Sequence, residues 1–377
     1  MAAEQSDNTQ TDFGHQPQLN KFFRAAVKTC ASDLHLKVGQ PPKLRISGQL
    51  KNTDGEVITR QGMEQMVFEI LSPEHREIFM KNGTCDFAYE IGDHDRFRVD
   101  VFRQRGNISL SARRVNTDVP QFEGLNLPPI LQNICDGREG LVLVVGPTGC
   151  GKSTTIASMI NFINHTLSCH IVTIEDPIEY LFKDDKSIVS QREIGTDVED
   201  FEQALKYLMR QDPDVVFIGE MRDSTTVTAA MRAAETGHLV FGTMHSANVA
   251  QAVQRLMDLF PQDQRDLARQ TLSLTIKAII SQVLLPSIKE GVERIPAVEI
   301  LLANPEVKKL ISEAREADLP NIIRSCKTEG MQDITDNLCQ LIKDGSVEPK
   351  EAYKYAPNVD ELKMALKGIR ATTSGIL

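Results

Sequence analysis

The feature that most constrains this chain is the stretch Leu141 to Thr154, LVLVVGPTGCGKST. The apolar run Leu141 to Val145 enters Gly146-Pro147-Thr148-Gly149-Cys150-Gly151-Lys152-Ser153, which matches G-x-x-x-x-G-K-[ST] at every fixed position. Strand-like residues precede the loop, and a helix-compatible segment, Thr155 to Asn164, follows Thr154. Glycines at this spacing let successive backbone N–H groups point into one concavity that holds a polyphosphate. Lys152 adds a point charge for the outer phosphates, and the Ser153 hydroxyl a ligand for Mg²⁺. The loop therefore calls for an α/β core that binds a nucleotide.

Other classes are narrowed by composition. The chain has 377 residues, enough for two domains. Its longest apolar runs are only a few residues, and the first residues are polar, so neither a membrane span nor a signal peptide is expected. The expected place is the cytoplasm, unless a partner holds the chain at a membrane. A net charge of −10 speaks against a general nucleic-acid surface. Seven cysteines without a C-x-x-C pair fit reduced thiols rather than disulfides or zinc.

Residues 1–18 are polar and expected to be a disordered tail. From Leu19 an apolar stripe (Phe22, Phe23, Ala26, Val27, Cys30) predicts a helix, and Ser32 to Val38 alternates like a strand that turns at Gly39-Gln40-Pro41-Pro42 into Leu44-Arg45-Ile46. Two short helices follow, Met63 to Leu71 and Pro73 to Met80. Phe97, Val99 and Val101, then Ile108, Leu110 and Ala112, predict a hairpin turning at Gln104 to Asn107. Six arginines fall on its nineteen residues, Arg96 to Arg114. They form either a solvated face paired with Asp93, Asp95 and Asp100, or an anion-binding surface, since the guanidinium fork meets phosphate oxygens two at a time. A small α+β domain over 19–115 and a Pro- and Gly-rich linker over 116–129 are expected, followed by a nucleotide-binding domain over 130–377.

In that second domain apolar strands alternate with helical patterns, the signature of a mainly parallel sheet covered on both faces. Ile171 to Ile174, Val215 to Ile218 and His238 to Ser246 read as strands whose polar ends should converge on the phosphate loop. Hydrolysis needs a metal ligand set, an oriented water and positive charge. Ser153 and Glu220 are the candidate metal ligands, Glu220 having the place of a Walker B carboxylate. Glu175 is the candidate for water activation, within an acidic group that includes Asp176 and Glu179. His245, and less strongly His238, are candidate reporters of the γ-phosphate. Arg222 and Arg232 are available cations, but the Arg-rich hairpin is the better source of an arginine finger.

IVTIEDPIEYLF, DPDVVFIGEMRD and AAETGHLVFGTMHS, in that order after GPTGCGKSTT, resemble the Asp box, Walker B and His box of the hexameric secretion-type ATPases. Within them the chain most resembles the PilT family of type IV pilus retraction motors. The likeness extends from ASDLHLKVGQPPKLRISGQL through FRVDVFRQRG to APNVDELKMALKGI, nearly the whole chain beyond the tail. It implies a PAS-like first domain and a RecA-like second domain with C-terminal helices, in a six-membered ring that hydrolyses ATP with Mg²⁺. Gly146 through Thr154 would bind nucleotide, and Lys152, Ser153, Glu175, Glu220 and His245 fall on motif positions. Arg98 and Arg113 match the hairpin arginines that reach nucleotide in this family. The implied partners are an inner-membrane platform protein and a PilU-like paralogue, which would place the motor at the cytoplasmic face of the inner membrane. Asp100 stands where relatives usually have Asn, and Leu319 to Arg324 resembles only in part the AIRNLIRE element tied to retraction. Pilus assembly or type II secretion, and a non-hydrolysing accessory subunit, are the competing expectations.

Overall fold

A computed structural model of the chain describes residues 17–46, 48–92 and 95–369, so the expected tail at 1–18 lies outside it up to residue 16. The chain divides into two compact units between Thr117 and Asp118. Residues 118–129 go with the second unit, where the short helix Phe122–Leu125 sets Phe122 edge-on to Phe162, ring centroids 5.6 Å apart.

The first unit is a six-stranded antiparallel sheet: β1 (Asp33–Lys37), β2 (Lys43–Ile46), β3 (Gln49–Asn52), β4 (Thr84–Ile91), β5 (Asp95–Gln104) and β6 (Asn107–Arg114), in the order β3-β2-β1-β6-β5-β4. Alternation decides its faces. Leu34, Leu36, Phe97, Val99, Val101, Ile108 and Leu110 turn inward and are buried with Phe23, Met63 and Phe79 from the helices Asn20–Lys28, Arg60–Ile70 and Pro73–Asn82. The charged residues at alternate positions are left on the opposite face. Thr59 and Ser72 start the second and third helices by accepting the N–H groups of Gly62 and His75, with Pro73 placed where a helix needs no donor. This is the α+β arrangement expected of a PAS-like unit.

The second unit has seven strands: β7 (Gly140–Val145), β8 (His170–Glu175), β9 (Ile188–Glu193), β10 (Val215–Ile218), β11 (Leu239–Met244), β12 (Ile276–Pro286) and β13 (Arg294–Leu302). Their order is β13-β12-β7-β11-β10-β8-β9, parallel from β12 to β9, with β13 antiparallel at the edge. All residues of β7, β10 and β11 are buried, because helices cover both faces. Helix Lys152–Thr166 packs Ile156, Met159, Ile160 and Ile163 on Val142, Val144 and Phe241. Helices Phe201–Leu208, Ser224–Glu235 and Val249–Asp258 cover Leu143, Ile174, Ile218 and Val240 from the other side. The RecA-like core is thus as expected, and C-terminal helices Ile334–Lys343 and Val359–Leu366 bury Leu338 and Leu362 with Leu285 and Ile295 of the long β12-β13 pair.

Candidate active site

Parallel register brings the strand ends to one edge. Val145 pairs with Met244, Gly242 with Ile218, and Ile218 with Ile174, so the loops after β7, β11, β10 and β8 leave the sheet side by side. The phosphate loop leaves from β7, between β12 and β11. Gly151, at φ +90°, adopts a left-handed conformation that strains an L side chain, and helix Lys152–Thr166 begins directly after it. Pro147, Thr148 and Gly149 are exposed, whereas the Cys150 side chain is buried and burial pushes its thiol pKa up. Only the backbone of Cys150 can therefore face a ligand. Lys152 donates to the carbonyls of Gly146 and Pro147, each at 3.0 Å, so its charge rests on the loop itself. Ser153 donates to Glu179 Oε1 at 3.0 Å, and the Thr154 and Tyr180 hydroxyls are 2.9 Å apart.

The two carboxylates differ sharply. Glu175, at the end of β8, is 6% exposed and accepts from Thr173 Oγ1 at 2.7 Å and Gln191 Nε2 at 3.2 Å. Burial pushes its pKa up to about 7, against those hydrogen bonds. Glu220, past the end of β10, faces Arg222 Nη2 at 2.6 Å and His245 Nε2 at 3.4 Å. Burial alone would raise its pKa, but the Arg222 hydrogen bond and the charges of Arg222, His245 and Lys152 hold it below the usual carboxylate value. Arg222 also lies 4.0 Å from Asp176. Asp223 caps helix Ser224–Glu235 by accepting from Thr226 N at 2.8 Å, a structural task worth about 1 kcal/mol.

A joint links the ends of β10 and β11. Thr243 Oγ1 donates to the Gly219 carbonyl, and Met221 N donates to Thr243 O at 2.9 Å. The Met221 side chain occupies the space a side chain on Gly242 would fill. Glu220 lies between the two bonded residues Gly219 and Met221, and His245 two positions beyond Thr243.

Two of the expected roles are corrected. His238 sits at the start of β11, against Ala233 O at 2.9 Å and Thr236 Oγ1 at 3.1 Å, where it closes the C-terminal end of helix Ser224–Glu235. It stands at the opposite edge of the sheet from Lys152 and cannot report a γ-phosphate. Arg232, in the last turn of that helix, lies away from the edge too. In the first unit the hairpin arginines take acids of neighbouring strands. Arg98 meets Asp86 on β4 at 2.5 Å, Arg113 meets Asp33 on β1 at 2.9 Å, Arg96 meets Glu90 at 3.3 Å and Arg114 meets Asp95 at 2.9 Å. Of the acids expected as their partners, Asp95 serves, Asp100 accepts from Thr84 instead, and Asp93 lies outside the described residues. Sequence reasoning gave no role to Tyr180, Thr173 or Gln191; the first two lie within the Asp-box stretch IVTIEDPIEYLF, while no motif marks Gln191.

A strand, a glycine loop and a helix beside two carboxylates and an imidazole define a phosphate-loop nucleotide-binding protein. The family profile described as "Type II/IV secretion system protein" matches residues 126–333, and the chain belongs to that family. It is similar to the type IV pilus retraction ATPase PilT of Pseudomonas aeruginosa, 36% identical over 90% of this chain and 98% of the relative. It is equally similar, at 36%, to the type IV pilus ATPase PilU of the same organism, over 93% of this chain and 91% of that one. Among solved structures, the pilus retraction motor PilT with bound ADP superposes with a TM-score of 0.83 and 41% identity, covering 93% of this chain and 99% of that one.

Proposed function

We infer that the chain is an ATP-hydrolysing motor that powers retraction of type IV pili, the movement behind twitching motility. One observation carries this reading: Lys152, Glu220 and His245 meet at one sheet edge, in a chain 41% identical to a pilus retraction motor solved with ADP.

The loop from Gly146 to Thr154 binds the phosphates of ATP through its N–H groups. Lys152 exchanges its two carbonyl partners for phosphate oxygens. Among the described residues no three His, Cys, Asp or Glu side chains could hold a metal together, yet the oxygens of Ser153 and Glu220 suit Mg²⁺ when phosphates complete the shell. Bound there, Mg²⁺ would neutralise charge on the phosphates. Glu175, poised near neutrality, is the candidate to activate the attacking water, and Glu220, held anionic by Arg222 and His245, would hold Mg²⁺ through water or polarise the attacking one. His245 senses the γ-phosphate, and Arg98 and Arg113 supply the positive charge of the transition state. Turnover in a homo-hexameric ring then drives domain movements that pull on an inner-membrane platform protein, with the motor at the cytoplasmic face of that membrane. Among the described residues no helix is long and apolar enough to cross a membrane; the motor is proposed to be peripheral and to make no direct contact with nucleic acid.

Glu220→Gln in purified protein tests the chemistry. Nucleotide should still bind while turnover falls by about 10²- to 10³-fold, and unchanged turnover would remove Glu220 from its role. Deleting the gene and counting surface pili tests direction: excess pili fit retraction, and bald cells fit assembly or secretion. The competing reading, an accessory subunit that binds ATP without hydrolysing it and works beside a paralogue, is decided by the same turnover assay. Purified protein with no turnover but firm ATP binding would select it.

A further inference from the structure

Gln282 belongs to β12, far in sequence from the loop it touches, and is 2% exposed. Ser281 pairs with Val145, which brings Gln282 level with Gly146. Its Nε2 donates to the Cys150 carbonyl at 2.7 Å, and its Oε1 accepts from Thr155 Oγ1 at 2.7 Å. Both ends of the carboxamide are thus spent on the phosphate loop and its helix. The loop also packs closely on this residue: a side chain at Gly146 would collide with the Gln282 carbonyl as well as with the Cys150 thiol, and a Cβ at Gly151 would come within 2.8 Å of Nε2.

In a trans peptide the carbonyl and the following N–H point in opposite directions. Drawing the Cys150 carbonyl toward Gln282 therefore turns the Gly151 N–H away from β12, toward the side a phosphate approaches. Thr155 braces the same unit from its other end, since its N–H donates to Gly151 O at 2.9 Å while its hydroxyl is held by Gln282.

We propose that Gln282 is a positioning residue for phosphate recognition, whose carboxamide fixes the Cys150–Gly151 peptide so that the Gly151 N–H faces the nucleotide. This rests on the reading of the loop as the ATP site. Gln282 itself touches no ligand and acts through the peptide it holds. The alternative is a buried strut that steadies β12 against β7 and leaves recognition alone.

The two are separated by Gln282→Met, which keeps length and volume and removes both hydrogen bonds. In full-length protein the Kd for MgATP by calorimetry and the KM for ATP should each rise about tenfold, with kcat little changed. A strut would lower the thermal midpoint and leave Kd where it was, and that result would overturn the inference. Should Gln282→Met not fold, Gln282→Glu gives an independent reading. The neutral acid can donate to the Cys150 carbonyl and the anion cannot, so affinity should weaken more steeply with rising pH than in the wild type. Wild-type affinity at every accessible pH would overturn the inference. If the wild type bound no MgATP, the loop reading would fail and this inference with it; firm wild-type binding matched by both variants would sink this inference alone.

Discussion

The two units keep their positive charge in opposite ways. In the second, Lys152 is almost wholly buried and rests on the carbonyls of Gly146 and Pro147. In the first, the Arg113 side chain is 76% exposed and leans on Asp33, while Arg98 and Asp86 are both about half exposed. An ion pair exposed on both sides, as Arg98–Asp86 is, is worth only about 0 to 1 kcal/mol, so exchanging that acid for a phosphate costs little, whereas in the Arg113–Asp33 pair the acid is itself buried. Asp33 would not be stranded by the exchange, because Ser32 Oγ at 2.8 Å and Arg45 at 3.4 Å remain. Buried charge is different: it is fixed by its surroundings and costly to leave unmatched. The second unit fixes its buried cation against backbone, while the first keeps Arg98 and Arg113 in ion pairs that open to solvent.

The sharpest way to break this contrast is through the buried acid. The Glu175 pKa is raised from 4.5 to about 7, so between those values the folded protein holds a proton that the unfolded chain has released. Stability from this group is therefore lost as pH rises through that window, by about 3 kcal/mol at its upper end. Glu175→Gln should raise the thermal midpoint at pH 8 far more than at pH 4, while slowing turnover. An equal shift at both would mean the acid is not strained by burial. Next in size, Lys152→Ala should weaken MgATP binding by about a hundredfold in calorimetry, as expected for a lost charge-assisted contact. Affinity within twofold of wild type would place the ligand elsewhere.

Arg113→Ala is expected to act more gently, cutting kcat by about tenfold with little change in nucleotide affinity or thermal midpoint. Mixed assemblies would sharpen the result: in the proposed ring, doping Arg113→Ala chains into Glu220→Gln chains should restore some turnover if the arginine serves a neighbouring subunit, and none if it serves its own. The smallest effect belongs to Arg222→Ala. Arg222 lowers the Glu220 pKa, so without it the carboxylate protonates at higher pH, and the acid limb of the rate profile should move upward. A profile that stays in place would show that His245 and Lys152 suffice.

Much of the fold could be read ahead, and the exceptions share a cause. Strands β7, β8, β10 and β11 announce themselves because burial on both faces demands continuous apolar residues, and β5 and β6 because one-sided burial demands alternation. β9, Ile188–Glu193, carries Ser190, Gln191 and Arg192 and has neither signature, as suits an edge strand. At the site, Lys152, Ser153, Glu220 and His245 are legible because each occupies a fixed place in a motif. Gln282 is not, since its partner Cys150 is 132 residues away and only the pairing of β12 with β7 joins them. The arginine partners fail for the same reason: Asp86 and Asp33 come from strands that neighbour β5 and β6 only in the folded sheet. His238 misled because a strand has two ends, and a sequence does not say which one faces the loop until the register is known.

The bond from Thr243 to Gly219, with Met221 seated over Gly242, ties the backbone that carries the acid to the backbone that carries the imidazole. In the proposed motor, a pull on His245 would reach Glu220 through this joint. Such coupling favours a switch that snaps over a dial that drifts, which is the behaviour a machine needs if each spent nucleotide is to yield one whole step.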